Sequence, residues 1–186
     1  KFYSINFIKY MPPTIFTKNI EEIKKFLKKY KKIVIKPIHG YGGKNILFIN
    51  KLISKIKILN YIKKFGHIMV QKFIPQVTKG DKRVFIINGL VKGAIRRVPR
   101  KGSFVSNLAQ GGKATKTKLN YRELKISKTI AKHLKKSKIF FAGIDLVSNY
   151  LIGDINVTSP TGLKNFKDLS GVNLAEDFWN NLEKLK

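Results

Sequence analysis

Apolar residues recur along this chain with two periods, one helical and one extended, and together they divide it into elements. In "NIEEIKKFLKKYKK", Ile20, Ile23, Phe26, Leu27 and Tyr30 fall on one stripe, with Asn19 and Glu22 at capping-box spacing. That pattern predicts a helix over 19–31. "IVIKP" (33–37) is a short β-branched run and predicts a strand. "HGYGG" (39–43) is a glycine-rich turn, and "NILFIN" (45–50) a second strand. "KLISKIKILNYIKKFG" (51–66) predicts a helix closed by Gly66. "HIMVQKFIP" (67–75) reads as a strand, and "KRVFIINGLVKGAIRRVP" (82–99) as a hairpin across Asn88-Gly89. The segment 100–120 is polar, shows no period and is expected to be a long loop. A helix follows over 121–136. Strands Ile139–Val147 and Tyr150–Val157 then pair with each other, and a last helix spans 173–186, with Asn173 and Glu176 again at capping-box spacing. There is no internal repeat and no low-complexity linker. Strands and helices alternate irregularly with hairpins, so the fold class expected is α+β.

Composition narrows the picture. The 186 residues suggest one domain, or one with two lobes, and 43% apolar with 26% charged residues belongs to a globular chain rather than a disordered one. No apolar run approaches membrane-span length. "KFYSINFIKY" at the start has no initiator Met and no signal-peptide layout, so a chain cut from something longer is expected. Without cysteine there is no disulfide framework or thiolate metal site, which fits the cytoplasm. The formal charge of +29 admits two readings, a nucleic-acid-binding surface or a solvated surface drawn from a lysine-biased amino-acid supply. Lysine is spread from end to end, and Ile, Asn and Phe are plentiful too, which favours the second reading. Against that background the five arginines are informative: Arg83, Arg96, Arg97 and Arg100 share one window, with Arg122 apart. A planar guanidinium grips carboxylate or phosphate with two bonds where lysine cannot, so the window is a candidate oxyanion site, unless the clustering is chance.

Two further patterns carry chemistry. "HGYGGKN" fits neither the P-loop nor G-x-G-x-x-G, but a strand followed by Gly40, Gly42 and Gly43 lets backbone N–H groups approach an anion. An ordinary tight turn is the alternative. Lys36, inside an apolar strand, needs an anionic partner. In "IGDINVTSP", Asp154, Asn156 and Thr158 alternate along one strand face. A hairpin centred between Asn149 and Tyr150 would set Asp145 opposite Asp154. Two facing carboxylates imply a cation between them, and hard oxygen ligands suit Mg²⁺ or Mn²⁺. A phosphate turn, a strand lysine, an arginine cluster and a metal pair together point to a nucleotide-dependent enzyme.

These same residues lie in blocks that resemble a known family. "IVIKPIHGYGG", "VQKFIPQVTKGDKRVFIINGLV", "RVPRKGSFVSNLAQGGK" and "FFAGIDLVSNYLIGDINVTSPTG" are similar to the ATP-grasp domain of bacterial glutathione synthetases, over essentially the whole chain. The resemblance implies an ATP-grasp fold across 1–186, two α+β lobes holding ATP between antiparallel sheets. Residues 33–75 would be the smaller, ATP-covering lobe and 76–186 the larger, catalytic one, with the family's N-terminal substrate domain absent from this chain. It implies that Lys1 and Lys36 contact ATP, that Gly40, Gly42 and Gly43 fold over its phosphates, and that Gln71, Lys72, Phe73 and Ile74 hold adenine. Asp81, Arg83 and Arg97 would line the reaction site, Asp81 on the ATP side and Arg97 also toward the substrate carboxylate. Asn107, Gly111 and Gly112 would belong to a loop closing over the substrates. Asp145, Asp154 and Asn156 would hold the metal, Asn156 beside the reacting groups, and Thr158, Ser159 and Thr161 would meet the peptide substrate.

The implied activity is ATP-dependent ligation of γ-glutamylcysteine to glycine through an acyl phosphate. The alternatives are another ATP-grasp peptide ligase or a basic nucleic-acid-binding module. The implied partners are small molecules and, for the full-length family member, further copies of itself, with no membrane. The isolated chain is expected to turn over little. Two positions depart from the family pattern: Asp154 stands where Glu is usual, in a hairpin one residue longer, and Val105 stands where a loop Arg is usual. Arg100 could substitute for that Arg.

Overall fold

The computed structural model describes residues 2–40, 43–50, 55–100, 102, 106, 108 and 111–184, apart from the side chains of Phe2 and Asp154. The chain divides into two compact units, 1–75 and 76–186.

The first unit opens with a 3₁₀ segment, Phe2–Tyr10, and continues through β1 (Thr14–Thr17), α1 (Ile20–Tyr30), β2 (Ile33–Pro37), β3 (Leu47–Ile49), α2 (Lys55–Phe65) and β4 (Ile68–Lys72). Its four strands form an antiparallel sheet in the order β1-β4-β2-β3. Strand alternation sends Ile33, Ile35, Ile49, Ile68 and Val70 to one face. There they pack with Ile23, Phe26 and Leu27 of α1 and Ile58 of α2. The register Lys36↔Met69, Phe16↔Met69, Val34↔Gln71 and Thr14↔Gln71 assigns the opposite face to Thr14, Phe16, Val34, Lys36, Met69 and Gln71.

The second unit begins with a short 3₁₀ segment, Pro75–Lys79, entered from the preceding unit at Pro75. It continues through β5 (Asp81–Ile87), β6 (Leu90–Val98), β7 (Lys113–Lys116), α3 (Tyr121–Lys136), β8 (Phe141–Val147), β9 (Tyr150–Asn156), α4 (Leu163–Ser170) and α5 (Leu174–Glu183). Its antiparallel sheet has the order β7-β6-β5-β8-β9. One face bears Asp81, Arg83 and Phe85 of β5. At its apolar end Phe85, Ile87 and Ile95 pack with Phe166 of α4 and Leu174 of α5. Gly93 lies under Phe166, whose Cζ would be 2.4 Å from a Cβ there, so only glycine lets the ring close onto the sheet. On the other face Lys82 reaches Glu123 of α3 at 2.6 Å, and Ile126, Ile130 and Leu134 bury that helix.

The α+β class, the Asn88-Gly89 hairpin and α3 are as the sequence predicts; other details differ. The segment expected to be a loop over 100–120 contains β7, a short polar strand on the sheet edge, where lysines discourage further pairing. The elements β1 and α4 had no counterpart in the pattern. The capping boxes expected at Asn19 and Asn173 are not formed: Asn19 accepts from Glu21 N, and Asn173 makes no side-chain bond to the helix backbone. The complete box is Asn120 with Glu123, at the start of α3.

Candidate functional site

Among the described residues each unit carries a buried polar constellation that includes residues expected at the site. In the first, Lys36 sits in a strand whose five residues are all buried, and it is 9% exposed. Its ammonium donates to Gln71 Oε1 at 2.9 Å, diagonally across the β2–β4 pair. Gln71 Nε2 donates to Thr14 Oγ1 at 2.9 Å on β1, and the Thr14 hydroxyl donates to the Pro12 carbonyl at 2.7 Å. Of the other residues expected to meet nucleotide, Lys72 and Phe73 leave the end of β4 with their N–H groups already given to the Pro13 and Lys32 carbonyls. Phe73 stacks edge-on against Phe48, with ring centroids 4.7 Å apart. Ile74 follows, half-buried. Gly43, with φ +74, lies in the turn before β3, which Tyr61 of α2 holds through the Asn45 carbonyl at 2.5 Å. Gly40 is half-buried at the end of the "PIHG" segment. Lys1 and Gly42 lie outside the described residues.

In the second unit, four charges close on one another. Arg97 donates from Nε and Nη2 to the two oxygens of Asp81, both at 2.7 Å, its cross-strand partner on β5. Arg83 donates from Nε and Nη2 to Asp145 at 2.6 and 3.2 Å, again directly across a strand pair. Arg97 Nη2 also meets Asp145 Oδ2 at 2.9 Å, and Arg83 Nη1 donates to the Thr161 carbonyl at 3.1 Å. All four side chains are buried. Their titration splits accordingly. Burial works against the Asp145 charge, but Arg83 and then Arg97 outweigh it and hold its carboxyl down to about 2. Asp81 goes the other way: burial, and then the Asp145 charge, push its carboxyl up to about 6 in spite of Arg97. Burial opposes the Arg97 charge too, yet Asp145 and Asp81 raise its pKa further.

Of the arginine window, then, only Arg83 and Arg97 share this face. Arg96 neighbours Arg97 on the strand, faces the other way and is exposed, and Arg100 lies beyond β6 with its guanidinium over Gly111. Asp145 is met by both the Arg83 and the Arg97 guanidinium groups.

The β8–β9 hairpin also differs from its expected register. Ser148 and Asn149, both with positive φ, form a two-residue turn that pairs Val147 with Tyr150 and Leu146 with Leu151. Beyond a shift at Asp145 the register becomes Ile144↔Ile155 and Gly143↔Asn156, as expected. Three residues of β9 thus oppose one of β8, and Gly153, at φ +134, takes the bend. Asp154 is a backbone position in this bulge, and its side chain lies outside the description.

Asn156 shares the face of Asp145 through Gly143. Its Oδ1 accepts from the Ser159 and Thr158 N–H groups at 3.1 and 3.3 Å, and its Nδ2 donates to the Ser159 carbonyl at 3.1 Å. Thr158, Ser159 and Thr161 are exposed on the loop so shaped. Gly111 and Gly112 precede β7, and Asn107 and Val105 lie outside the described residues. Of the residues expected to hold a metal, Asp145 is ionised and offers a hard carboxylate oxygen, Oδ1, that accepts from Arg83 Nε, whereas Asn156 Oδ1 is already engaged by the Thr158 and Ser159 N–H groups. Among the described residues no three His, Cys, Asp or Glu gather into a group that could hold a metal ion. No helix among them is long and apolar enough to cross a membrane.

Sequence reasoning missed Thr14. The alternation in "TIFT", after two prolines, was the available signal.

The fold places the chain in a class. D-alanine–D-alanine ligase from Bacillus anthracis, solved with ATP, superposes with a TM-score of 0.65 at 15% identity, covering 95% of this chain and 61% of that one. An ATP-grasp ligase solved with a variant of its minimal precursor, Mg and ADP gives 0.63 at 16% identity, over 94% and 53%. The architecture is the α+β ATP-grasp fold. Residues 1–171 match the family model of the prokaryotic glutathione synthetase ATP-grasp domain, and the chain belongs to that family, the one its sequence blocks resemble. A glutathione synthetase of Prochlorococcus marinus (subsp. pastoris, strain CCMP1986) is 40% identical over 169 residues, 89% of this chain and 55% of the relative. That of Bradyrhizobium diazoefficiens is 34% identical over 196 residues, 99% and 59%. The chain thus spans a little over half the length of these curated relatives.

Proposed function

We propose that this chain is the ATP-binding and catalytic part of a cytoplasmic, ADP-forming glutathione synthetase that joins γ-glutamylcysteine to glycine. The observation that carries the reading is the buried Asp81–Arg97–Asp145–Arg83 cluster within the family-matched region. In this reading the γ-glutamylcysteine carboxylate attacks the γ-phosphorus of ATP, the β–γ bridging bond breaks and ADP leaves. The glycine amine then attacks the acyl carbon and expels phosphate. Lys36 and the Gly40–Gly43 turn hold the phosphates. The backbone of Gln71 to Ile74, with the Phe73 and Ile74 side chains, holds adenine; since Lys72 and Phe73 N–H are committed, the hydrogen bonds to the base come from carbonyls and from Ile74. Arg97, whose Nε and Nη2 are engaged, turns Nη1 toward phosphate or carboxylate. Arg83, engaged through all three nitrogens, fixes Asp145 and the Thr161 loop. Asp145, Asp154 and Asn156 would hold Mg²⁺ or Mn²⁺, which supplies charge neutralisation to the transferring phosphoryl group. The Gly111-Gly112 segment belongs to the loop that covers the substrates, and Thr158, Ser159 and Thr161 face the peptide. The full-length protein works as a homo-oligomer.

The test is ADP release by this chain joined to the part of the Prochlorococcus relative that it does not cover. Release requiring both γ-glutamylcysteine and glycine is expected. Release only with another carboxylate and amine would make it a sister peptide ligase. Tight, salt-sensitive RNA binding without ATP affinity would replace the reading by a basic binding module.

A further inference from the structure

The relay in the first unit has a fixed direction. Pro12 offers only a carbonyl, so the Thr14 hydroxyl must donate to it, and the hydroxyl's lone pairs are left to accept. They accept from Gln71 Nε2, which forces the Gln71 amide to turn its Oε1 toward Lys36. The reverse amide orientation would aim an NH₂ at the ammonium and a carbonyl at a hydroxyl whose proton is already given away. Lys36 is thus aimed by a chain that starts two strands away. The bond to Gln71 is to a neutral group, which orients an ammonium without itself cancelling the charge.

We propose that Thr14 and the Gln71 side chain are positioning residues for the phosphate-binding Lys36, and that the Gln71 amide serves the phosphate end of the nucleotide rather than the adenine. The inference rests on the nucleotide-binding reading above and names a residue, Thr14, on a strand that reading does not use. Gln71 belongs to the strand whose exit holds adenine, so one amide couples the two ends of the bound nucleotide. A valine at position 14 keeps the shape and β-propensity of threonine but removes both the donor to Pro12 and the acceptor for Gln71. The amide is then free to turn over, and Lys36 loses the acceptor that the relay sets for it.

The experiment is a nucleotide ladder: calorimetric titration of the 186-residue chain with ATP, ADP and adenosine, for wild type, Thr14→Val, Thr14→Ser and Gln71→Met. Thr14→Val and Gln71→Met are expected to weaken ATP and ADP by about tenfold while leaving adenosine unchanged, and Thr14→Ser to restore the wild-type ladder. Wild-type affinity of Thr14→Val for ATP overturns the inference and leaves the nucleotide-binding reading standing. Equal loss for adenosine and ATP also overturns it, because the effect would then lie at the adenine or in the fold. A wild-type chain that binds no nucleotide overturns the reading and the inference together. If Thr14→Val does not fold, Thr14→Ser against Gln71→Met decides, since only the serine keeps the relay's polarity.

Discussion

The two units bury cationic side chains in opposite ways. One partner of Lys36 is a carboxamide that is itself held by a hydroxyl and a carbonyl, a line of neutral dipoles. Arg83 and Arg97 are met by Asp145 and Asp81, so that two positive and two negative charges close on one another. Neutral dipoles set direction and leave the charge's field in place. Opposite charges set direction and cancel the field locally, and each member becomes costly to remove because its partners cannot be resolvated. A lysine proposed to direct itself at phosphate suits the first arrangement. A rigid floor that fixes a carboxylate and a loop suits the second.

The largest expected effect follows from the cluster. Arg97→Ala leaves Asp81 and Asp145 buried against one remaining arginine, and should cost about 3–5 kcal/mol in urea unfolding of the chain. A loss below about 1 kcal/mol, the value of an exposed pair, would mean that the two constellations do not differ in kind. Next comes a control on the same sheet face without charge. Gly93→Ala drives a methyl into Phe166 and should cost about 1–3 kcal/mol. Were it to exceed Arg97→Ala, packing rather than charge would be the main support of this sheet.

The cluster should also make stability depend on pH in two opposite limbs. Asp145, lowered to about 2, contributes stability that is present above its unfolded value near 3.8 and is lost as pH falls toward 2. Asp81, raised to about 6, contributes stability that is complete below 3.8 and is lost as pH rises through 6. Unfolding free energy measured against pH should therefore lose its falling limb in Asp81→Asn and its acid-side rising limb in Asp145→Asn. Unchanged limbs would show that the charges are partnered differently in solution. The smallest effect is expected in the relay: Thr14→Val should cost about 1 kcal/mol in the same unfolding assay, the scale of one neutral hydrogen-bonded group. A cost matching Arg97→Ala would erase the contrast between the units.

Much of this was legible in the chain. Helical and alternating periods located α1, β2, α3 and the strands of both hairpins, because each buries one clear stripe or face. The resemblance in "GDKR", "NLAQGG" and "INVTSPTG" pointed to the family. What escaped had weak local signals: β7, "KATK", lacks a buried face to mark it, and α4 is short and follows a run of loop residues. Capping boxes were expected at Asn19 and Asn173; among the described residues the complete one is at Asn120, where ψ is 173, whereas at Asn173 ψ is 90.

The sequence by itself determined which charged residues are scarce and where they fall: Arg83 and Arg97 on one hairpin, Asp81 before it, Asp145 on a strand, Lys36 among apolar neighbours. Strand alternation then limits which of them can share a face. Which ones meet was decided only in three dimensions. Extended from its turn without interruption, the Ile86↔Val91 register would set Asp81 opposite Arg96. The one-residue shift between Phe85 and Ile86 sets it opposite Arg97 instead. A slip of one residue reverses the face of every side chain beyond it, and no local signal in the sequence announces that slip, because it is fixed by how the whole sheet packs. The same holds for Thr14, whose meaning depends on a glutamine 57 residues away.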